Sequence, residues 1–164
     1  MITIKLTNDG VALIDEYDEE LLRQYSWYWV DFLGTGTKYA YAWSRISERP
    51  VAMHRLILKL VPHDGKQVDH INGNGLDNRR CNLRLCTTQE NHRNMTKQRG
   101  VYSSQYKGVS YREDRKKWQA YIIVDNKKRS LGTFAEEREA AKAYDEAANS
   151  LFGEFAYLNL GRNG

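Results

Sequence analysis

One helix constrains the last third of this chain. EEREAAKAYDEAANSLFG sets Ala140, Tyr144, Ala147 and Leu151 on one face at helical spacing, and Gly153 suits its C-terminal cap. Three short strand-like runs precede it: YKGVSYRE, KWQAYIIVD and KRSLGTF, the last two joined by the turn Asp125-Asn126-Lys127. A lone amphipathic helix must bury its apolar face, and the only surface nearby is the sheet those runs would form. The pattern therefore predicts a small domain of three strands and one helix. With 164 residues in all, the chain has room for a second module before it.

The first half reads differently. ITIKLT and VALID flank Asn8-Asp9-Gly10, a strong hairpin turn. Asp18 is placed to cap a short helix running to about Tyr25. The runs WYWV and YAYAW then put Trp27, Trp29, Tyr39, Tyr41 and Trp43 on alternate positions, the pattern of strands with one face packed in a core. MHRLILKL fits either a short helix or a strand, since periodicity does not separate them. In VDHINGNGLDNRRCNLRL, two short apolar stretches enclose a loop of Asn, Gly, Asp and Arg, residues that bond their own backbone or accept positive φ. TTQENHRN follows as a short helix with Thr88 or Thr87 as its cap.

Charge separates the same regions. Residues 1–50 are net −3, residues 51–100 net +5, and Tyr102 to Gly132 holds 8 basic against 3 acidic side chains. A basic middle interleaved with Tyr and Trp points to a polyanion such as nucleic acid, with an ordinary solvated basic face as the alternative. No apolar run reaches the roughly 18 residues that span a bilayer. The N-terminal MITIKLTNDG lacks the basic and apolar regions of a signal peptide, so a cytoplasmic protein is expected. Cys81 and Cys86 are too few for a disulfide scaffold and form no paired CxxC zinc site.

Asp69, His70, Asn82 and Asn91 are the polar residues whose chemistry stands out. A carboxylate and an amide oxygen are hard ligands suited to Mg²⁺ or Mn²⁺. An imidazole with an ordinary pKa near 6.5 can take a proton from water at neutral pH. An amide such as Asn82 can fix that imidazole or the loop around it. His54 and Arg55 suit either a phosphate or a structural hydrogen bond, His92 suits a solvated helix position, and His63 a turn. Arg79, Arg80 and Arg84 either grip backbone phosphates or are surface charge.

The string VDHINGNGLDNRRCNLRLCTTQENHRN, with Asn-Leu twelve residues after the His and Asn nine further on, resembles the HNH homing endonuclease family. The likeness extends upstream through ALID, the WYW strand and MHRLI. It implies a ββα-metal fold, with Asp69 and Asn91 as metal ligands, His70 as general base, and Asn82 orienting the base or loop. The last third resembles the DNA-binding domain of the Apetala and ethylene-response-factor family. The matching residues run from Tyr106-Lys107-Gly108-Val109 through Trp118-Gln119-Ala120 and Leu131-Gly132-Thr133-Phe134 to Ala147-Ala148 and Leu158-Asn159. That resemblance implies a three-stranded antiparallel sheet on one helix, laid in the major groove. The exposed-face candidates are Tyr111, Arg112, Lys117, Trp118, Tyr121, Lys128 and Arg129, with core packing as the alternative for Trp118. A one-residue register error would invert the set.

The expected fold class is α+β. Residues 1–95 form a strand-rich region leading into the HNH core, 96–103 a linker, and 104–160 the DNA-binding domain. The expected function is a site-specific DNA endonuclease of the homing type. It would act as a monomer on double-stranded DNA and nick one strand with Mg²⁺ or Mn²⁺, in the cytoplasm of a bacterial host if a phage or mobile element encodes it. The alternative is a sequence-specific DNA-binding regulator with an inactive nuclease core.

Overall fold

The computed structural model describes the whole chain except residues 33–35, 62–63, 96, 98–99 and 162–164. His63 and three positions of the expected linker (Thr96, Gln98 and Arg99) lie outside the described residues. The chain divides into two compact units, Met1–Asn91 and His92–Gly164. No helix among the described residues is long and apolar enough to cross a membrane.

The first unit opens with the hairpin of β1 (Ile2–Lys5) and β2 (Val11–Ile14). Its turn works because Asp9 and Gly10 both take positive φ. The expected helix after Asp18 is only a 3-10 turn at Glu16–Asp18 and one turn of α1 (Glu19–Leu22), and the Asp18 side chain does not cap it. Strands β3 (Trp27–Asp31), β4 (Lys38–Ser44) and β5 (Arg49–Ala52) then form an antiparallel sheet in chain order.

Register corrects the expectation that the five aromatic residues share one buried face. Trp27 pairs with Ala42 and Trp29 with Ala40, so the indoles stand over alanines. Trp27 is buried, donating Nε1–H to the Leu22 carbonyl. Tyr39, Tyr41 and Trp43 fall on the opposite face, where Trp43 is 57% exposed. Two indoles and three more rings would overfill one side of so small a sheet, and the large-over-small pairing avoids this. MHRLI resolves as a helix, α2 (Met53–Ile57), which adds Met53 and Ile57 to a core with Ile14, Leu22 and Trp27. Strands β6 (Gln67–His70) and β7 (Leu83–Cys86) pair antiparallel, and α3 (Thr88–Asn94) follows. Thr87 and Glu90 close a capping box at its start, each side chain bonding the other's backbone N–H at 3.2 and 2.8 Å.

In the second unit, β8 (Val109–Arg112), β9 (Lys117–Val124) and β10 (Lys127–Phe134) form an antiparallel sheet in the order β10-β9-β8. Asp125 and Asn126, both at positive φ, make the two-residue β9–β10 turn. Helix α4 (Glu137–Phe152) packs on the sheet through Ala140, Ala141, Tyr144 and Ala148. The expected stripe drifts at its end, and Leu151 is 44% exposed. Small residues let the helix come close, and Gly108 lets it come closer still. At φ +74°, a Cβ on Gly108 would lie 2.5 Å from the Tyr121 carbonyl oxygen and inside the Tyr144 ring. Asn159 closes the unit by accepting from Lys107 N and donating to Lys107 O, at 2.7 and 3.1 Å, while Asp145 holds the Asn159 backbone. Lys97 folds onto this unit too, donating to the carbonyls of Ser104, Tyr106 and Val109.

Candidate functional site

The β6–β7 connection is a loop whose side chains replace regular structure. Asn82 Oδ1 accepts from Asn72 N at 2.9 Å and its Nδ2 donates to the Asp77 carbonyl at 2.7 Å, clamping the loop across its width. Asn72 Nδ2 donates to Asp77, and Asn74 Oδ1 accepts from Leu76 N. Leu13 N donates to Leu76 O and Asn78 N to Leu13 O, which ties the loop to β2. Asp77, Asn78 and Asn82 are all buried. Buried polar groups are tolerated only when bonded, and here the loop supplies most of the partners itself.

His70 ends β6 against this loop. Its Nε2 lies 3.2 Å from Asn78 Oδ1, and its ring meets His54 edge-on at 5.2 Å between centroids and Tyr39 at 5.7 Å. Burial pulls the His70 pKa below its ordinary value, opposed by the Asn78 hydrogen bond and the charges of Asp69 and Asp77. The ring is therefore uncharged at neutral pH, the state a proton acceptor needs. Burial pulls the His54 pKa down to about 3, with His70 and Arg55 adding to the effect. Among the described residues, two buried polar atoms lack hydrogen-bond partners, His54 Nδ1 and Asn78 Nδ2, and both belong to residues touching His70. Unsatisfied buried groups are rare and mark places where a structure accepts cost.

Asp69 is buried beside Arg84, which donates Nε–H and Nη2–H to Oδ2 at 2.8 and 2.5 Å. Asp69 also makes its field felt on Tyr39 and Cys86, helping burial to raise the first pKa and to push the second up to about 11. Asn91, on α3, donates Nδ2–H to Gln67 Oε1 at 3.0 Å. Gln67 and Asp69 share a face of β6 by strand alternation, so the Asn91 amide and the Asp69 carboxylate serve the same side of the ribbon. Among the described residues, no group of three or more His, Cys, Asp or Glu could hold a metal ion. The oxygen donors of Asp69 and Asn91 fit a hard divalent cation that keeps most of its water, with the Arg84 guanidinium as its competitor.

In the second unit, register assigns the faces of the sheet. Val109, Trp118, Ala120 and Ile122 belong with the packed side, and the outward side shows four rows. These are Arg112 with Lys117, Ser110 with Gln119 and Thr133, Tyr121 with Ser130, and Ile123 with Lys128. A register shift between Ser130 and Gly132 keeps both halves of β10 in step with β9.

Comparison with known proteins finds a family match in each unit. The HNH endonuclease family matches residues 51–93 and the AP2 domain family residues 104–154. The chain carries an HNH endonuclease region followed by an AP2 domain. An uncharacterised HNH endonuclease of Acanthamoeba polyphaga mimivirus is 35% identical over 112 residues, 65% of this chain and 56% of the relative. A dehydration-responsive element-binding protein of Oryza sativa is 50% identical over 58 residues, 34% of this chain and 18% of the relative. An AP2-like ethylene-responsive transcription factor of Arabidopsis thaliana is 44% identical over 63 residues, 37% of this chain and 13% of the relative. The chain thus spans about half the viral relative and under a fifth of the plant ones. No solved structure matches it.

Within the HNH domain, the three loop arginines expected at phosphates are all held internally. Arg79 forks onto Asp77 at 2.7 and 2.6 Å, Arg80 onto Asp18 at 3.0 and 2.8 Å, and Arg84 onto Asp69. Arg80 also donates to the Ile57 carbonyl, so it ties the loop to α1 and α2. Arg55 is likewise spent, on the carbonyls of Lys66 and Val61 and on Asp64. Asn82 holds the loop rather than the imidazole, and Asn78 takes the imidazole. Asn78 carried no distinguishing signal among the six asparagines between Val68 and Asn94; only the fold shows which one reaches the ring.

Within the AP2 domain, Arg112, Lys117, Tyr121 and Lys128 lie on the outward face. Tyr111 and Trp118 depart from expectation. They pair across β8 and β9 on the packed side, ring centroids 5.0 Å apart, and Trp118 joins the core of Val109 and Ala140. Arg129 pairs with Ile122 and so also falls outside the outward set, though it is exposed at the edge strand.

Proposed function

We propose that the chain is a metal-dependent DNA endonuclease of the homing type, whose HNH domain hydrolyses a phosphodiester of one strand and whose AP2 domain selects the site. The observation that carries this reading is His70, an uncharged imidazole held by Asn78 in a loop clamped by Asn82. In this role His70 takes the proton of the attacking water. Asp69 and Asn91 would hold Mg²⁺ or Mn²⁺ through their oxygens, and Asn78 and Asn82 fix the geometry without touching substrate. A bound divalent ion supplies positive charge where the phosphate and the departing 3′ oxygen accumulate negative charge. One such constellation per chain attacks one strand per encounter, so a monomer nicks.

The Asp69–Arg84 pair favours a second reading, a DNA-binding regulator. A carboxylate already neutralised by a guanidinium at 2.5 Å gives up that bond before it ligates an ion. Cleavage separates the two. The full chain is incubated with supercoiled plasmids carrying a randomised insert, in Mg²⁺, Mn²⁺ or chelator. The nuclease reading expects open circles to accumulate before linear DNA, and nothing in chelator. His70→Ala should lower the rate on the order of 10²–10⁴-fold with DNA affinity unchanged. Full activity in chelator, or wild-type rate from His70→Ala, overturns the assignment. DNA binding without cleavage in either metal establishes the regulator.

A further inference from the structure

The outward face of the AP2 sheet carries an unusual set of groups for a reader of guanine. Arginine forks and lysines are the side chains that take guanine O6 and N7. Here Arg112 stands at one end of the face with both carboxylate oxygens of Asp114 bonded to its guanidinium, at 3.0 and 3.1 Å. The Lys128 ammonium sits 3.7 Å over the Tyr121 ring. Arg129 belongs to the other face by register. The centre of the face is left to Gln119, on the middle strand between Ser110 and Thr133, and the end opposite Arg112 to Ile123, which is 58% exposed beside Lys128.

We propose that this face reads A·T base pairs, with the Gln119 amide on an adenine edge and Ile123 against a thymine methyl. The inference rests on the AP2 domain being a major-groove reader, as proposed above. A glutamine amide offers one acceptor and one donor side by side, matching adenine N6–H and N7. An isoleucine turned away from the core amid exposed lysines gains only if it meets an apolar group. The thymine C5-methyl is the apolar group that major-groove base edges present. The surrounding charge suits the same partner, since Arg112, Arg115, Lys116, Lys117, Lys127 and Lys128 lie on these strands and their turns.

The test measures binding by the full chain in chelator, so that cleavage does not enter. Random duplexes are selected, and thymines of the enriched site are replaced one at a time by uracil, which removes only the methyl group. At one position the wild-type protein should lose about three- to fivefold in affinity, the worth of one buried methyl. Ile123→Ala should bind thymine and uracil there equally. Gln119→Ala should lose about 5- to 150-fold preference for adenine at one other position. Unchanged circular dichroism and thermal transition in both variants show that the sheet is intact. Enrichment of G·C pairs at the positions sensitive to these two residues, or indifference of the wild type to uracil, overturns the A·T assignment alone. Absence of any sequence preference overturns both that assignment and the role of the AP2 domain as reader.

Discussion

The β6–β7 loop and the β8–β10 sheet are both crowded with polar side chains, and they turn them in opposite directions. In the loop, Asn72, Asn74, Asp77 and Asn82 bond backbone and one another, and the arginines among them are paired with carboxylates. On the sheet, Lys117, Lys128, Ser130 and Thr133 stand exposed. The difference fits the two tasks proposed for them. A proton acceptor must already be in place when the water arrives, so its surroundings spend their hydrogen bonds internally. A reader must have donors and acceptors left to offer, because the base edge is its partner.

The contrast breaks most severely at Gly108. Gly108→Ala forces a side chain into left-handed backbone, at about 1–2 kcal/mol. It also drives that side chain into Tyr144 and the Tyr121 carbonyl, at about another 1–3 kcal/mol of overpacking. Thermal unfolding should show the AP2 domain melting early. Metal-dependent cleavage should persist at high protein concentration, with its site preference gone. Loss of cleavage in step with the early transition would show that the two functions are not divided between the domains.

A smaller effect is expected at Asn82. Asn82→Ala leaves the buried Asp77 carbonyl without its partner, at about 1–3 kcal/mol, and releases the Asn72 N–H on the exposed side of the loop. Hydrogen exchange should rise at Asn72 and its neighbours, and cleavage should fall while sequence preference is retained. Unchanged protection would mean that the loop is held from elsewhere.

The smallest expected change is at Lys128. Lys128→Ala removes one exposed positive charge from the sheet, so affinity should fall about equally for all sequences, and the slope of log affinity against log salt should shrink by about 1. A sequence-dependent loss would make Lys128 a base contact and move it into the reading set.

Much of the fold could be read before any coordinates, because it rests on local chemistry. The turn at Asp125-Asn126, the cap at Thr87 and the strand-like alternation of WYWV depend on residues within a few positions of one another. What could not be read were pairings across the fold. Alternation tells which residues of one strand share a face, but only register reveals that Trp27 and Trp29 lie over alanines while Tyr39 and Trp43 take the other side. The same limit applied to the loop. Its composition announced side-chain bonding to backbone, yet asparagines are chemically identical, and the choice of Asn78 for the imidazole depends on β2 holding its backbone. Arg80 and Arg84 were ambiguous because their carboxylate partners Asp18 and Asp69 are 62 and 15 residues away.

The Asn159 clasp sets an order of events during synthesis. The partners that complete the HNH loop, from Leu13 and Asp18 to Asn82, have all been made by the time Asn91 is added. The AP2 domain cannot close until Asn159 reaches back 52 residues to Lys107. At about 5–20 residues per second, translation separates these moments by roughly 3–14 s. That interval is long beside the folding time of a small domain, so the nascent chain passes through a stage in which its HNH region can fold before its AP2 domain exists.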